Sequence, residues 1–569
     1  MNAATLKDTA DQQSQQYSAA REPMPRGVFA ALLLIIGTAF GLRIAGISHG
    51  LPYAYNLDES NYYVVKAIEM VNGGLNPHWF VNPPAFTYVL AAGFKVLSGG
   101  GRGFFEVYAR NPEPVWILAR TISALLGTLA VGLLYATGAR LFNRVAGLFA
   151  AAILATGFLP VFYGHLALND SPLLVPLTLA LFGAAGILKG GGRRDVAIAG
   201  IGFGLACATK YTGGMVLVAI VIAIWANQED RWRNLGIVIG LGSIVFVIAN
   251  PYSLLDFAAF TRDLGHQSEA SSGSGKLGQT GSGGALYYPG VLTWGLGWIP
   301  VALATAGVVR VVREDRTRAL ILLVAPAAYL VFMALHSRWF GRWGLPLFPF
   351  VALLAGWGAC WAVDAVKSRW ARAAVPFTIV LGLFACAQGF AASIHVDSVL
   401  SQQDTRSIAR KWMTRNIPKG SKVVIEPGVV PEAWLRDLSR STEGRLRKRR
   451  WAMWGPRMWD PQGLRVEEYP RVLNPSLIKR YQLNRYCWLV TSSTQRGRVE
   501  RQPTSSPEGM AFYHSLVSHS KLVYRVSPWK DGADPVPFSF DDSFNYRPSA
   551  YQRPGPVISV YKLKGNGCN

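Results

Sequence analysis

Apolar runs of membrane length recur through the first 395 residues of the chain, separated by short polar segments. Each is long enough to cross a hydrocarbon core about 30 Å thick, and the pattern predicts a polytopic α-helical membrane protein of about eleven spans. They fall near 28–47, 116–138, 145–162, 172–188, 195–209, 213–227, 234–250, 290–309, 319–335, 343–365 and 374–394. Basic loops lie between alternate pairs: Arg140 to Arg144, Lys189 to Arg194, Arg231 to Arg233, Arg310 to Arg318 and Lys367 to Arg372. Short basic loops stay in the cytoplasm, so these, with Arg21 and Arg26, set one consistent alternation.

The outer face then receives the 48–115 loop, the turns at Asn169-Asp170 and Lys210-Tyr211, the 251–289 loop, and His336 to Trp343. Residues 396–569 land there too, and their β-branched and aromatic alternation predicts an extracytoplasmic mixed α/β domain. Its elements are a helix over Thr405 to Asn416 and strands at Lys422 to Ile425, Cys487 to Thr491 and Val557 to Leu563. Within the 48–115 loop, Asp58 to Val71 has helical character. Pro83-Pro84 opens an apolar segment, Ala85 to Leu97, too short to span and suited to the interface. The 268–284 stretch reads as a flexible loop. Its likeness to a phosphate loop fails, because Lys276 precedes Leu, Ala270 stands where the first Gly belongs, and no strand leads in. Residues 1–27 read as a disordered cytoplasmic terminus.

Composition agrees with the pattern. Half of the 569 residues are apolar and 16% are charged, against about a quarter charged in soluble domains. The first run, Val28 to Ile47, is too long for a signal-peptide core and carries Arg43. The formal charge of +24 is shared between the loops and the tail. Cys207, Cys360 and Cys386 sit in apolar runs as small buried side chains. Cys487 and Cys568 lie in the tail and form a disulfide only if that domain faces an oxidising compartment.

The candidate chemistry gathers on the outer face. Asp58 and Glu59 stand at the exit of the first span, where ionised groups need water, partners or a function; the bland reading is a helix cap in a favourable dipole. Asp170, after His165, is either an N-cap ahead of Pro172 or a second acidic group across a cavity from Asp58. Lys210, beside Tyr211, either snorkels or binds a lipid-linked phosphate. Arg338 and Arg342, interleaved with Trp339, Phe340 and Trp343, form either an aromatic belt with anchors or a phosphate clamp, for which guanidinium geometry is suited. Tyr62 is a candidate substrate contact, and His266 is a weaker one. No His/Cys/Asp cluster has metal-ligand spacing, so no metal or cofactor is expected. The basic run Arg445 to Arg450 reads as a solvated face or a contact for anionic headgroups or glycans. Nucleic acid is not expected on this side of the membrane.

Leu57-Asp58-Glu59 after the first span, Asn82-Pro83-Pro84 opening an apolar segment, and Arg120 at the start of the second span resemble the polyprenyl-phosphate-dependent membrane glycosyltransferases of the GT-C class. The pattern is similar to the protein-O-mannosyltransferases and the lipid A aminoarabinose transferases. Ala167-Leu-Asn-Asp170-Ser-Pro172, Gly204 to Tyr211, Arg342…Leu345-Pro346…Pro349, and in the tail Trp412…Asn416-Ile-Pro418 and Gly555 to Tyr561, extend the resemblance over most of the chain. Two positions depart from it: Ala85 where many relatives have Leu, and Gly341-Arg342-Trp343 where Arg-Tyr is commoner.

The resemblance implies a GT-C fold and an inverting transfer of a sugar from a polyprenyl-phosphate donor to an acceptor that is a glycolipid, polysaccharide or protein. It implies Asp58 as general base supported by Glu59, Asp170 orienting acceptor or sugar, and Lys210, Arg338 and Arg342 holding the donor phosphate. Tyr62, His165, Tyr211 and His266 would be substrate contacts. The implied location is a bacterial inner membrane, multi-pass, among membrane lipids. A flippase for lipid-linked sugars and an oligosaccharyltransferase-like enzyme are the rival readings.

Overall fold

The computed structural model describes residues 23–98, 102–227, 229–272, 276–279, 283–427, 452–454, 469–565 and 568. Arg21, nearly all of the 1–27 segment, the run Arg445 to Arg450, and parts of the 268–284 stretch lie outside them. Six helices among the described residues are long and apolar enough to cross a membrane, or eight if two bent pairs each count as one span. The six-helix set begins at Arg26–Ile44 and Glu113–Leu141 and continues with Arg231–Ala249, Arg316–Ala334, Gly341–Arg369 and Ala371–Asn416. The bent pairs are Arg144–Thr156 with Phe158–Gly164, at 58°, and Gly284–Gly295 with Trp298–Glu314, at 113°. The helices Leu174–Leu188, Arg193–Thr209 and Val216–Asn227 are shorter. At 15 residues, Leu174–Leu188 is about 22 Å long, less than a hydrocarbon core. The chain before it, and the turn at Lys210, are therefore non-helical within the depth of the bundle, which is tolerated where such backbone is buried in protein.

Gly341–Arg369 is the central helix, with 78% of its apolar window buried, against 17% for Arg26–Ile44. It crosses Trp298–Glu314 at two glycines. A methyl group at Gly307 would lie 1.9 Å from the Leu354 carbonyl oxygen, and one at Gly358 would lie 2.0 Å from that of Leu303. Small residues here let the backbones touch. The odd Arg43 of the first span is fully buried. The break at Gly157 frees the carbonyls of Leu154 and Ala155, and the Arg43 guanidinium donates to both, at 3.3 and 3.1 Å. Gly127 and Gly164 leave the room its stem occupies.

The segment after Arg26–Ile44 forms a π-helical turn at Glu59–Tyr63, the helix Val64–Gly73, and then Ala85–Ser98 and Arg102–Arg110. After the last long helix, Thr405–Asn416 leads into a mixed sheet with five strands among the described residues. Its strands are β1 (Lys422–Ile425), β2 (Ala452–Trp454), β3 (Trp488–Ser492), β4 (Ser520–Val526) and β5 (Ile558–Leu563), in the order β2-β1-β3-β5-β4. β1 runs parallel to β2 and β3, while β5 is antiparallel to β3 and β4. Helices Ser476–Leu483, Ser493–Arg501 and Pro507–His519 complete the layer, with Tyr481, Leu489 and Phe512 in its core. A disulfide joins Cys487 to Cys568.

The sheet docks on the first outer loop. Tyr53 and Tyr55 share a buried cluster with Ala409, Met413, Val423 and Ile558. The Tyr55 hydroxyl bonds Ser407 Oγ at 2.8 Å, and the Arg406 guanidinium lies 3.9 Å over its ring. The tail thus sits on the same end of the bundle as Asp58.

Candidate active site

Between the bundle and the tail lies a cavity of about 640 Å³. Its floor comes from the membrane domain (Asp58, Tyr163 and Arg342), and its roof from the tail (Arg406, Arg498 and Asp542). Asp58 enters it because another residue does the capping. The Asn56 side chain accepts from the N–H groups of Asp58 and Glu59, both at 3.1 Å, at the start of the π-helical turn. The Asp58 carboxylate makes no capping bond. Instead Arg342 Nη1 meets Asp58 Oδ2 at 2.6 Å, with both side chains partly open to the cavity. A π-turn at this point re-aims side chains out of helical register, a common feature of functional sites.

Glu59 faces the other way. Its carboxylate and the Arg120 guanidinium are fully buried and joined by two bonds, Nε–Oε1 at 2.8 Å and Nη2–Oε2 at 2.7 Å. Arg120 Nη1 also donates to the carbonyls of Ile47 and His49, and the Ala167 N–H donates to Glu59. One charged pair therefore ties the first outer loop, the second span and the 165–173 segment together. The Glu59 carboxylate is thus occupied by Arg120 and Ala167, while the Asp58 N–H is held by Asn56.

Asp170 does not cap the helix that follows, which begins at Leu174 behind Leu173. It is buried and meets Lys210 Nζ at 2.5 Å. Asn169 Nδ2 donates to the Thr209 carbonyl at 2.8 Å, fixing the two turns against each other. This second pair lies within the field of the first: Asp170 acts on Arg342, and Asp58 and Arg342 act on Lys210. Two carboxylates and two cations so form one electrostatic unit, with Tyr63 packed beside it.

The remaining candidates are spread out. His165 is buried, with Nδ1 on the Val161 carbonyl at 2.8 Å, Nε2 on that of Ala45 at 2.7 Å, and Asp397 Oδ1 3.3 Å away. Nδ1 is occupied within its own helix, and Nε2 braces the third span against the first and last. The Tyr211 hydroxyl donates to the Phe80 carbonyl at 2.8 Å. Tyr62 stacks on Trp79, with ring centroids 4.8 Å apart. His266 is exposed on Phe257–Ser272, three residues from Glu269. Arg338 Nε is buried with no hydrogen-bond partner among the described residues. Of all the candidates only Asp58 and Arg342 are among the described residues that line the cavity.

Sequence reading missed Asp541 and Asp542. The segment Phe538 to Tyr546 descends from the tail onto the bundle, stacking Tyr546 on Phe162 at 5.4 Å and setting Phe544 edge-on to Trp294 at 5.6 Å. Asp541 is buried and accepts from the Gly341 N–H at 2.5 Å and from the Tyr287 hydroxyl. Asp542 is exposed at the cavity wall, among the residues of the tail that line it. Desolvation in the cavity, with Asp541 beside it, holds its carboxyl above the ordinary range, and Arg498, Arg406 and Arg342 pull the other way. Two acidic residues flanked by aromatics were the available signal, but nothing in the sequence said what they face.

The helical bundle, with a helical segment after its first long helix and a terminal domain roofing the cavity, is similar in fold to solved membrane glycosyltransferases. The family described as dolichyl-phosphate-mannose-protein mannosyltransferase matches residues 114–254. ArnT from Cupriavidus metallidurans, in the structure bound to undecaprenyl phosphate, is 16% identical with a TM-score of 0.53, covering 94% of this chain and 97% of that one. Its apo structure gives 14% and 0.54, covering 94% and 98%. The Archaeoglobus fulgidus oligosaccharyltransferase tethered to an acceptor peptide is 12% identical with a TM-score of 0.53, covering 88% of this chain and 73% of that one. No curated protein matches the sequence. The resemblance to the GT-C class therefore holds, in sequence over part of the membrane domain and in fold over most of the chain.

Proposed function

We propose that this protein is an inverting glycosyltransferase that moves a sugar from a polyprenyl-phosphate donor to a hydroxyl-bearing acceptor on the outer face of the membrane. The observation that carries the reading is the Asp58–Arg342 pair at 2.6 Å on the floor of a cavity roofed by the tail. Asp58 takes the proton of the acceptor hydroxyl, whose oxygen attacks the anomeric carbon. The bond from that carbon to the phosphate oxygen breaks, and the polyprenyl phosphate leaves with the electron pair. A base in line with the carbon and cations on the departing phosphate are what such a step requires.

Without donor, Arg342 is neutralised by Asp58 and Lys210 by Asp170. A phosphate arriving between them competes for both cations and releases the Asp58 carboxylate for the acceptor, so the base is freed when the donor is seated. Arg338, with its unbonded Nε, is a further phosphate candidate. Asp170 is placed to orient a sugar hydroxyl. The undecaprenyl phosphate in the ArnT structure supports a lipid-phosphate donor on this fold. We assign the chain about eleven crossings by counting the two bent pairs and the three shorter helices as spans, with the basic loops in the cytoplasm and the tail outside. A bacterial inner membrane is the location this reading favours.

The test is reconstitution of the purified protein with radiolabelled polyprenyl-phosphate sugars and a membrane extract. Label transferred to an acceptor supports the reading and names sugar and acceptor together. Label that crosses the bilayer still on its carrier supports the flippase, and transfer of a preassembled glycan to Asn supports the oligosaccharyltransferase-like alternative.

A further inference from the structure

We propose that Asp541, supplied by the tail, is a positioning residue that sets Arg342 for the donor phosphate, so that docking of the tail and assembly of the membrane-embedded site are one event. This rests on the reading of Arg342 given above. Asp541 lies 200 positions from Gly341 in sequence and is buried against it. Four donors converge on its carboxylate. Oδ2 accepts from the Gly341 N–H and the Tyr287 hydroxyl, while Oδ1 accepts from the Ser543 N–H at 2.9 Å and the Ser543 hydroxyl. A carboxylate has about four acceptor sites, so the set is filled.

Two of those donors are backbone N–H groups with fixed directions, and one of them belongs to the residue preceding Arg342. The backbone there is tightly enclosed: a methyl group at Gly341 would meet Asp541 Oδ2 at 2.7 Å and the Trp294 ring at 2.9 Å. Gly341 opens the short 3₁₀ turn Gly341–Leu347, which carries Arg342 toward Asp58. Tyr287 belongs to the helix Gly284–Gly295, so Asp541 also clamps that helix to the turn. Phe540 on Phe340, at 5.7 Å, and Phe544 on Trp294 hold the segment in register on either side of the carboxylate. An asparagine cannot replace it. Whichever way the amide is turned, its NH₂ faces either the Gly341 N–H or the Ser543 N–H.

The experiment measures binding of undecaprenyl phosphate to the full-length protein in detergent, for wild type, Asp541→Asn, Arg342→Ala and the double variant. Tyr287→Phe, alone and with Arg342→Ala, is measured beside them. Hydrogen bonds to charged groups predict that Asp541→Asn weakens binding about tenfold and Tyr287→Phe about threefold. Because both act through Arg342, each adds no more than about twofold once Arg342 is alanine. A merely structural role for the segment would give the same factor on both backgrounds, and that result overturns the proposal, as does wild-type binding by both single variants. If Asp541→Asn fails to fold, the Tyr287→Phe pair decides the question by the same criterion. Arg342→Ala binding like wild type would instead refute the reading of Arg342 itself.

Discussion

Arg342 reaches across the floor of the cavity to Asp58, Nη1 to Oδ2 at 2.6 Å, although Arg342 stands just ahead of the tenth expected span and Asp58 just beyond the first. On the proposed reading, Asp58 and Arg342 have separate jobs once donor is present, one as base and the other as phosphate ligand. Asp58→Asn is therefore expected to lower transfer by about 10²–10⁴-fold, the usual worth of a positioned base. Undecaprenyl phosphate should bind this variant at least as well as wild type, because Arg342 no longer has a competing carboxylate. Single-turnover transfer and equilibrium binding, measured side by side, check both halves. Transfer at the wild-type rate would remove Asp58 from the mechanism.

Lys210 and Asp170 make the complementary case. With Lys210 on the donor phosphate, Lys210→Gln should weaken undecaprenyl phosphate binding about tenfold, in line with the loss of a charged hydrogen bond. Asp170→Asn frees the ammonium and should leave that binding unchanged or tighter, while raising the KM for the sugar donor relative to its bare carrier. Titrations with carrier alone and with donor separate the two effects. Weaker carrier binding in Asp170→Asn with none in Lys210→Gln would reverse the assignment.

Glu59 and Arg120 should behave differently, because both are fully buried and the pair also holds the Ile47, His49 and Ala167 backbones. Removing one partner leaves an unpaired buried charge, at a cost of about 3–5 kcal/mol. Glu59→Gln and Arg120→Ala are each expected to lower the midpoint of thermal unfolding and the yield of folded protein. The double change Glu59→Leu with Arg120→Met should recover much of the stability but little of the activity, since Asp58 loses the scaffold that aims it. Fluorescence-detected gel filtration after heating measures the first, and the transfer assay the second. A thermally normal Glu59→Gln would show that the pair is not what holds the loop.

What the chain's pattern disclosed, and what it hid, divides along sequence separation. The helix Thr405–Asn416, the strand Lys422–Ile425 and the interfacial helix opening at Ala85 were legible from local periodicity and proline placement. Asp58, Lys210 and Arg342 were legible because charges at the ends of apolar runs stand out. The caps were left open: Asn56, two residues upstream, takes the role that Asp58 might have filled, and only geometry separates two neighbouring Asx residues. Glu59 was read as a support for Asp58, but its partner Arg120, on the second span, is distant in sequence. Arg43 made sense only with the break at Gly157, more than a hundred residues away. Asp541 stood out only as one of two acidic residues between aromatics, because nothing marked its partners Tyr287 and Gly341 as such.

The tail carries its own test, independent of catalysis. Glu426, at the end of β1, is buried, accepting from the Tyr513 hydroxyl at 2.6 Å and the Ser492 N–H at 2.7 Å. Burial pushes its carboxyl up to about 7, although both bonds favour the charged form. In the unfolded chain the same group titrates near its ordinary value of about 4.3. Between those values the folded state holds the extra proton, so stability is greatest below the lower value and falls as pH rises through the upper one. The whole difference is worth on the order of 3 kcal/mol. Hydrogen exchange of the β1 and β3 amides in the full-length protein should therefore quicken between pH 5 and about 8, beyond the intrinsic rate increase. Glu426→Gln, neutral at every pH, should flatten that dependence and protect the sheet at pH 8. A slope unchanged by Glu426→Gln would assign the pH response to another group.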